Sequence, residues 1–395
     1  MIINFSIRII PSSSKKMALP SRKRFTRPKD LLMPVSTTGG RARAMTFNGT
    51  DRPFRSSHFD LPTLQHGEVL VRVLYSTICT SDIHTHSGRR SGPTPCVLGH
   101  EIIGEVAALG SGTPTTWTGT PLTIGDRVTW TVYAHDHQGV MARKGFPQKS
   151  ADLFKYGHQQ LCEQHPLSGG FATHCHLRAG TDIFHVPDPL SDREAAPLNC
   201  THATVAGALR LAGDLTDKNV LVVGAGMLGL SACAMSAESG ARTVAMVDIN
   251  PQRAALAKHF GASLILDQDV ARQREQTAAN GGIDVVIETS GAPTAMEHSL
   301  RMLNIGGISI WVGAVFEQRD LHINAEYVVR NLLTMQGLHN YIPADLATAI
   351  TFLRKHHKKY PFHQLVGAEY PLAELDEAFS LAHSGQHHRV GVHPE

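Results

Sequence analysis

Past residue 43 the distribution of apolar and polar positions divides the chain into two kinds of segment. The first is short and alternating. Gly67-Glu68-Val69-Leu70-Val71-Arg72-Val73 alternates apolar with polar side chains, the pattern of a half-buried strand. Ile102–Val106 and Asp126–Val132 read as further strands, so this region is expected to form a small β-rich unit with its chemistry on loops. The second kind is continuous. Asn219-Val220-Leu221-Val222-Val223 suits a parallel strand covered on both faces, and it opens into a glycine-rich turn and a helix rich in Ala and Ser. Thr243–Val247, Ile283–Thr289, Ser309–Val315 and Leu332–Leu338 are further β-like runs, separated by helical stretches such as Thr294–Leu303. That alternation predicts an α/β architecture with a doubly wound parallel sheet. Between the two regions, Pro187–Pro189 and Asp192–Ala196 mark a turn into a helix expected to bear Cys200 and Thr204.

Composition changes this picture in three places. A length of 395 residues exceeds what one core usually serves, so two domains are expected. The net charge of +3 conceals an asymmetry: residues 1–50 hold ten of the 37 Lys/Arg and one of the 34 acids, leaving 27 basic against 33 acidic residues elsewhere. The body is therefore mildly acidic and carries no broad basic signature for nucleic acid. Residues 1–43 suit a disordered tail, a mitochondrial transit peptide, or a start placed upstream of Met17 or Met33. No stretch approaches twenty uninterrupted apolar residues, so no membrane span is expected. Six cysteines without regular spacing do not make a disulfide framework, and a reducing, cytoplasmic setting suits free thiolates.

The candidate chemistry lies at two places. Cys79 to Glu101 reads C-T-S-D-I-H-T-H-S-G-R-R-S-G-P-T-P-C-V-L-G-H-E, and Cys79, His100 and Glu101 offer a thiolate, an imidazole and a carboxylate, the side-chain types that zinc accepts. Cys200 is a further candidate ligand. Two thiolates and one imidazole would leave a fourth position open, which points to a Lewis acid. A single Cys is most often a small buried hydrophobe, but the combination is rarer than its parts. The second place is Gly224-Ala225-Gly226-Met227-Leu228-Gly229, a G-x-G-x-x-G between a strand and a helix. Gly224 permits the tight turn, Gly226 lets the backbone approach a pyrophosphate, and Gly229 allows close helix–strand packing. Asp248, at the end of the next strand, should accept from the ribose hydroxyls and favours NAD over NADP, whose 2′-phosphate would meet a carboxylate.

Taken in order, C-x-S-D-x-H, G-H-E, G-D-R-V at Gly125–Val128 and a Cys ahead of G-x-G-x-x-G resemble the zinc-dependent alcohol dehydrogenases of the medium-chain dehydrogenase/reductase superfamily, from about residue 44 onward. S-D-I-H-T-x-x-G-R-R, L-F-K-Y-G-H and S-G-G-F-A-T-H-C-H-L are more narrowly similar to the phosphonate-catabolism-associated subgroup. The resemblance implies a GroES-like catalytic domain over 44–195, a Rossmann domain over 196–340 and a C-terminal return to the first domain over 341–395. It implies reversible oxidation of a small alcohol to an aldehyde or ketone by a homodimer or homotetramer, with NAD and one catalytic zinc held by Cys79, His100 and Cys200. Ser81 and His84 would relay the proton, Asp82 would orient His100, and Glu101 would adjoin the metal and ligate it transiently. Thr204 and Leu228 match positions against the nicotinamide, and Arg253 matches a basic position near the ribose. Thr80 replaces an Arg or His that many relatives place against the pyrophosphate.

Aligned on G-F-P-Q-K-S, the four cysteines of the relatives' structural zinc fall on Asp136, Gly139, Ala142 and Ser150, so that zinc is expected to be absent; His135, Asp136 and His137 are of types that can bind a metal, but a solvated loop is the expected account of them. Arg89 and Arg90 follow His84 on the loop that shapes the substrate pocket in the family. Adjacent guanidinium groups suit a phosphonate or carboxylate, so two readings stand: one of them holds an anionic substrate such as a hydroxyalkylphosphonate, or both are solvated arginines of a Gly/Ser loop. A polyol dehydrogenase and an inactive NAD-binding scaffold are the rival readings.

Overall fold

The computed structural model describes residues 40–394. Its two main sheets differ as the two sequence patterns require. One is antiparallel in its body: Val69–Thr77 pairs with Glu101–Leu109, which pairs with Arg127–Ala134, and His174–Leu177 and Thr181–His185 add to its sides. Trp130, Tyr156 and Phe154 fill the core on one face. The other sheet is parallel throughout, with strand order Leu264–Ile265, Thr243–Val247, Asn219–Val223, Ile283–Glu288, Leu303–Trp311, Thr334–Gly337. Every residue of Asn219–Val223 is buried, as a strand covered on both faces must be. Each of its valine and leucine side chains contributes roughly 1.5–3 kcal/mol by leaving water.

The C-terminal segment rejoins the first sheet. Arg389–His393 pairs antiparallel with Val69–Thr77 through Gly391 and Val392, while Leu375–His383 packs Phe379 into the core that holds Ile78, Leu98 and Phe171. Among the described residues, no helix is long and apolar enough to cross a membrane.

Three boundaries differ from expectation. The strand expected at Ser309–Val315 runs from Leu303 to Trp311. Its first half holds Asn304, Gly306 and Gly307 and leaves Ile305 exposed, so no apolar run announces it. The next strand is shorter than Leu332–Leu338, spanning Thr334–Gly337, because Leu332 adopts a positive φ of 54° that breaks extension. The helix expected to bear Cys200 is interrupted: Asp192–Ala195 and the 3₁₀ turn Ala196–Asn199 lead to Cys200, which caps Thr201–Ala212 at φ −131°, ψ −78°. Pro197 lies in the 3₁₀ turn, where its missing N–H suits a junction better than a helix interior. Cys200 is thereby left at a corner between two helical segments.

Candidate active site

Cys79 and His100 sit next to strand ends, and Cys200 at the corner between two helical segments. Cys79 follows Val69–Thr77 and caps the short helix Thr80–His86. Asp82, in the first turn of that helix, accepts the Cys79 amide at 3.0 Å through Oδ2, a local bond that fixes the corner. Its Oδ1 lies 3.1 Å from His100 Nδ1 and 3.4 Å from the Gly99 amide. An ionised carboxylate only accepts, so Nδ1 carries the proton and Nε2 is the nitrogen turned toward the cysteines. Gly99 brings His100 into place at φ 88°, and a Cβ there would meet the Phe171 ring at 3.1 Å. Only glycine fits both demands.

The sulfurs of Cys79 and Cys200 lie 4.0 Å apart, close to the ~3.8 Å that two zinc–sulfur bonds of about 2.3 Å set at a tetrahedral angle. Ligand atoms of Cys79, His100 and Cys200 all fall within 4.8 Å of one another. The hydrogen bond from Cys200 holds the Cys79 thiol well below its usual range; the same bond, with burial, raises Cys200. Burial opposes charge on His100, yet Asp82 and Cys79 raise it well above the usual imidazole value. So much negative character around one point suits a cation.

This cluster opens on a cavity of about 870 Å³, which extends past Gly224 and Gly226 to Asp248, large for a small-molecule pocket of roughly 300–1,000 Å³. The turn at its far end matches the sequence reading. Gly224 has φ 97° and a Cβ on Gly229 would lie 1.7 Å from the Gly224 carbonyl, while one on Gly226 would meet nothing within 4 Å. The N-terminus of Met227–Glu238 thus faces open space with its backbone uncovered, an arrangement suited to a pyrophosphate.

Residues 65–188 match the alcohol dehydrogenase GroES-like domain and residues 228–355 the zinc-binding dehydrogenase domain. A sorbitol dehydrogenase of Halalkalibacterium halodurans is 31% identical over 84% of this chain and 93% of its own length. The chain belongs to the zinc-dependent alcohol dehydrogenase family. A D-arabitol-phosphate dehydrogenase of Enterococcus avium is 30% identical over 84% of the chain and 91% of its own. The crystal structure of an alcohol dehydrogenase from Thermotoga maritima superposes with a TM-score of 0.85 at 25% identity, covering 90% of this chain and all of that one.

Within this member of the alcohol dehydrogenase family, Glu101 sits directly beside the metal-ligand cluster in a buried network. It is fully buried, and both oxygens are engaged: Arg389 donates at 2.7 and 2.9 Å, Thr77 at 2.6 Å and Thr201 at 3.0 Å. Glu101 anchors Arg389, whose Nη2 also donates to Cys79 Sγ at 3.6 Å.

The other expected residues divide by position. Ser81 Oγ is 3.3 Å from His100 Nε2. His84 lines the cavity with its ring 4.8 Å from that of Phe316, and burial followed by the Arg89 charge lowers its pKa. Thr204 and Leu228 face the same space. Asp248 accepts the Ala225 and Asn250 amides at 2.6 and 2.7 Å, which leaves each oxygen a further lone pair. Arg253 lines the cavity at that end and donates to the Gly385 carbonyl.

Arg89 and Arg90 diverge. Arg90 enters the cavity and lies 3.4 Å from His158 Nε2, whereas Arg89 is exposed and covers the Phe316 ring at 4.7 Å. Four residues of the site escape the sequence reading: Arg389, and Lys155, His158 and His339, which line the cavity beside Arg90. Lys155 and His158 stand inside L-F-K-Y-G-H, so a signal for them is present in the sequence.

Proposed function

We propose that the protein oxidises a small alcohol carrying an anionic group, a phosphonate or phosphate, reversibly to the corresponding carbonyl compound with NAD. The observation that carries this reading is the charge beside the metal cluster. Arg90 and Lys155 line the cavity, and Lys149 reaches His339 at 2.7 Å. Burial lowers the Lys155 pKa first, and the Arg90 and Lys149 charges lower it further. Among the described residues none of these three cations pairs with a carboxylate, so their charge is free to meet a substrate anion. The likeness to a D-arabitol-phosphate dehydrogenase supports the same chemistry.

Zinc supplies Lewis acidity that makes the substrate hydroxyl a stronger acid, and NAD supplies the hydride acceptor. Ser81 accepts the hydroxyl proton. His84, one helical turn further along Thr80–His86, carries it toward solvent, and its lowered pKa keeps it unprotonated at neutral pH. Asp82 holds His100 in the tautomer that presents Nε2. Arg90 positions the anionic end.

The likeness to sorbitol dehydrogenases favours a second reading, a neutral polyol as substrate. NAD reduction with 2-hydroxyethylphosphonate, 1-propanol and sorbitol separates the two. The proposal expects the highest kcat/KM for the phosphonate, and a loss of about 10–100-fold in Arg90→Ala for that substrate alone. A wild-type preference for sorbitol, or an equal loss on all three, would overturn it.

A further inference from the structure

A second cluster of ligand-type side chains lies outside the catalytic set. His135 directly follows Arg127–Ala134, His137 stands two residues on, and Asp182 belongs to Thr181–His185, the strand paired with it through Ala134 and Thr181. Their ligand atoms lie within 4.8 Å of one another. His137 Nε2 is 3.2 Å from Asp182 Oδ1, which alone would be an ordinary ion pair. The other half is not ordinary. His135 Nδ1 and Asp182 Oδ2 face each other at 3.9 Å, their residues are only 7% and 6% exposed, and neither atom has a hydrogen-bond partner among the described residues.

Two buried polar atoms left without partners are costly to the fold unless something completes them. The gap between them is too long for a hydrogen bond, yet two bonds of about 2.0–2.2 Å from nitrogen and oxygen to one zinc-like cation would span it. The frame holds the gap open. The His135 amide donates to the Gly180 carbonyl at 3.1 Å, a Cβ on Gly180 would lie 2.3 Å from the His135 carbonyl, and the Asp182 amide donates to Thr131 Oγ1 at 3.3 Å. His135 is therefore not part of the solvated loop expected from the sequence; of the three residues read that way, only Asp136 and His137 are exposed. Asp136 and Asp152 add negative charge around it.

We propose that His135, His137 and Asp182 form a second metal site for a divalent cation of the zinc class. Two imidazoles and one carboxylate suit zinc, cobalt or nickel better than calcium or magnesium, and water completes the fourth position. The site is independent of the substrate reading above.

The test is zinc content by elemental analysis of the full chain, loaded with excess Zn²⁺ and then desalted. Wild type should retain two zinc ions per chain, one at each cluster. His137→Ala and the near-isosteric Asp182→Asn should each retain one, and Cys200→Ser should keep the ion at the second site. Loaded with Co²⁺, the ion lost in His137→Ala should lack the thiolate charge-transfer absorption of the cysteine site. Wild type retaining one ion, or both His137→Ala and Asp182→Asn retaining as many as wild type, would overturn the proposal.

Discussion

At the metal end of the cavity nearly every polar group already has its partner: Asp82 serves His100 and the Cys79 amide, and Glu101 is shared by Arg389, Thr77 and Thr201. On its cationic side, beside the same cluster, Arg90, Lys155 and Lys149 gather charge with no carboxylate to meet it among the described residues. The first arrangement fixes geometry before substrate arrives, as catalysis requires. Under the proposed function, the second leaves an interaction for the substrate to complete, which would select an anionic group.

The largest expected effect tests the metal end. Cys200→Ser removes one thiolate, and NAD reduction should fall by about a thousand-fold or more on anionic and neutral alcohols alike; retention of activity on either would break the comparison. Asp82→Asn is milder. It leaves shape unchanged but weakens the acceptor for His100, so zinc affinity and kcat should drop by about 10–100-fold, again on every substrate. A loss confined to anionic substrates would place Asp82 at the wrong end. The smallest effect lies between the ends. Oxidation needs His84 unprotonated, and its lowered pKa puts the acid limb of the kcat/KM profile below the ordinary imidazole range. Arg89→Ala removes a charge that lowers this pKa, so the limb should move to slightly higher pH. A downward shift would show that Arg89 does not act on His84 through charge.

Much of the metal end is legible in the sequence because its residues are close together or marked by turns. Ser81, Asp82 and His84 share one short helix that Cys79 caps, His100 follows a glycine of positive φ, and G-x-G-x-x-G announces its own turn. Arg389 carries no such mark. It reaches Glu101 across 288 residues, and nothing local distinguishes it from a surface arginine. The tie of Glu101 to Arg389 is hidden for the same reason, since its sequence neighbour His100 suggests a ligand while its charge partner is remote. The burial of His135 is hidden because it depends on which strand lies alongside, and Thr181–His185 comes much later in the chain. The anion end is half legible: Arg90 stands out by its doublet, while Lys155 and His158 come in on a separate segment.

The pairing of Arg389–His393 with Val69–Thr77 also sets an order on the molecule's birth. During synthesis the metal ligands and the dinucleotide turn emerge from the ribosome well before residue 389, yet Glu101 has no counter-charge until that residue arrives. A nascent chain therefore holds an unfinished centre, and its completion waits for one of the longest-range contacts in the fold.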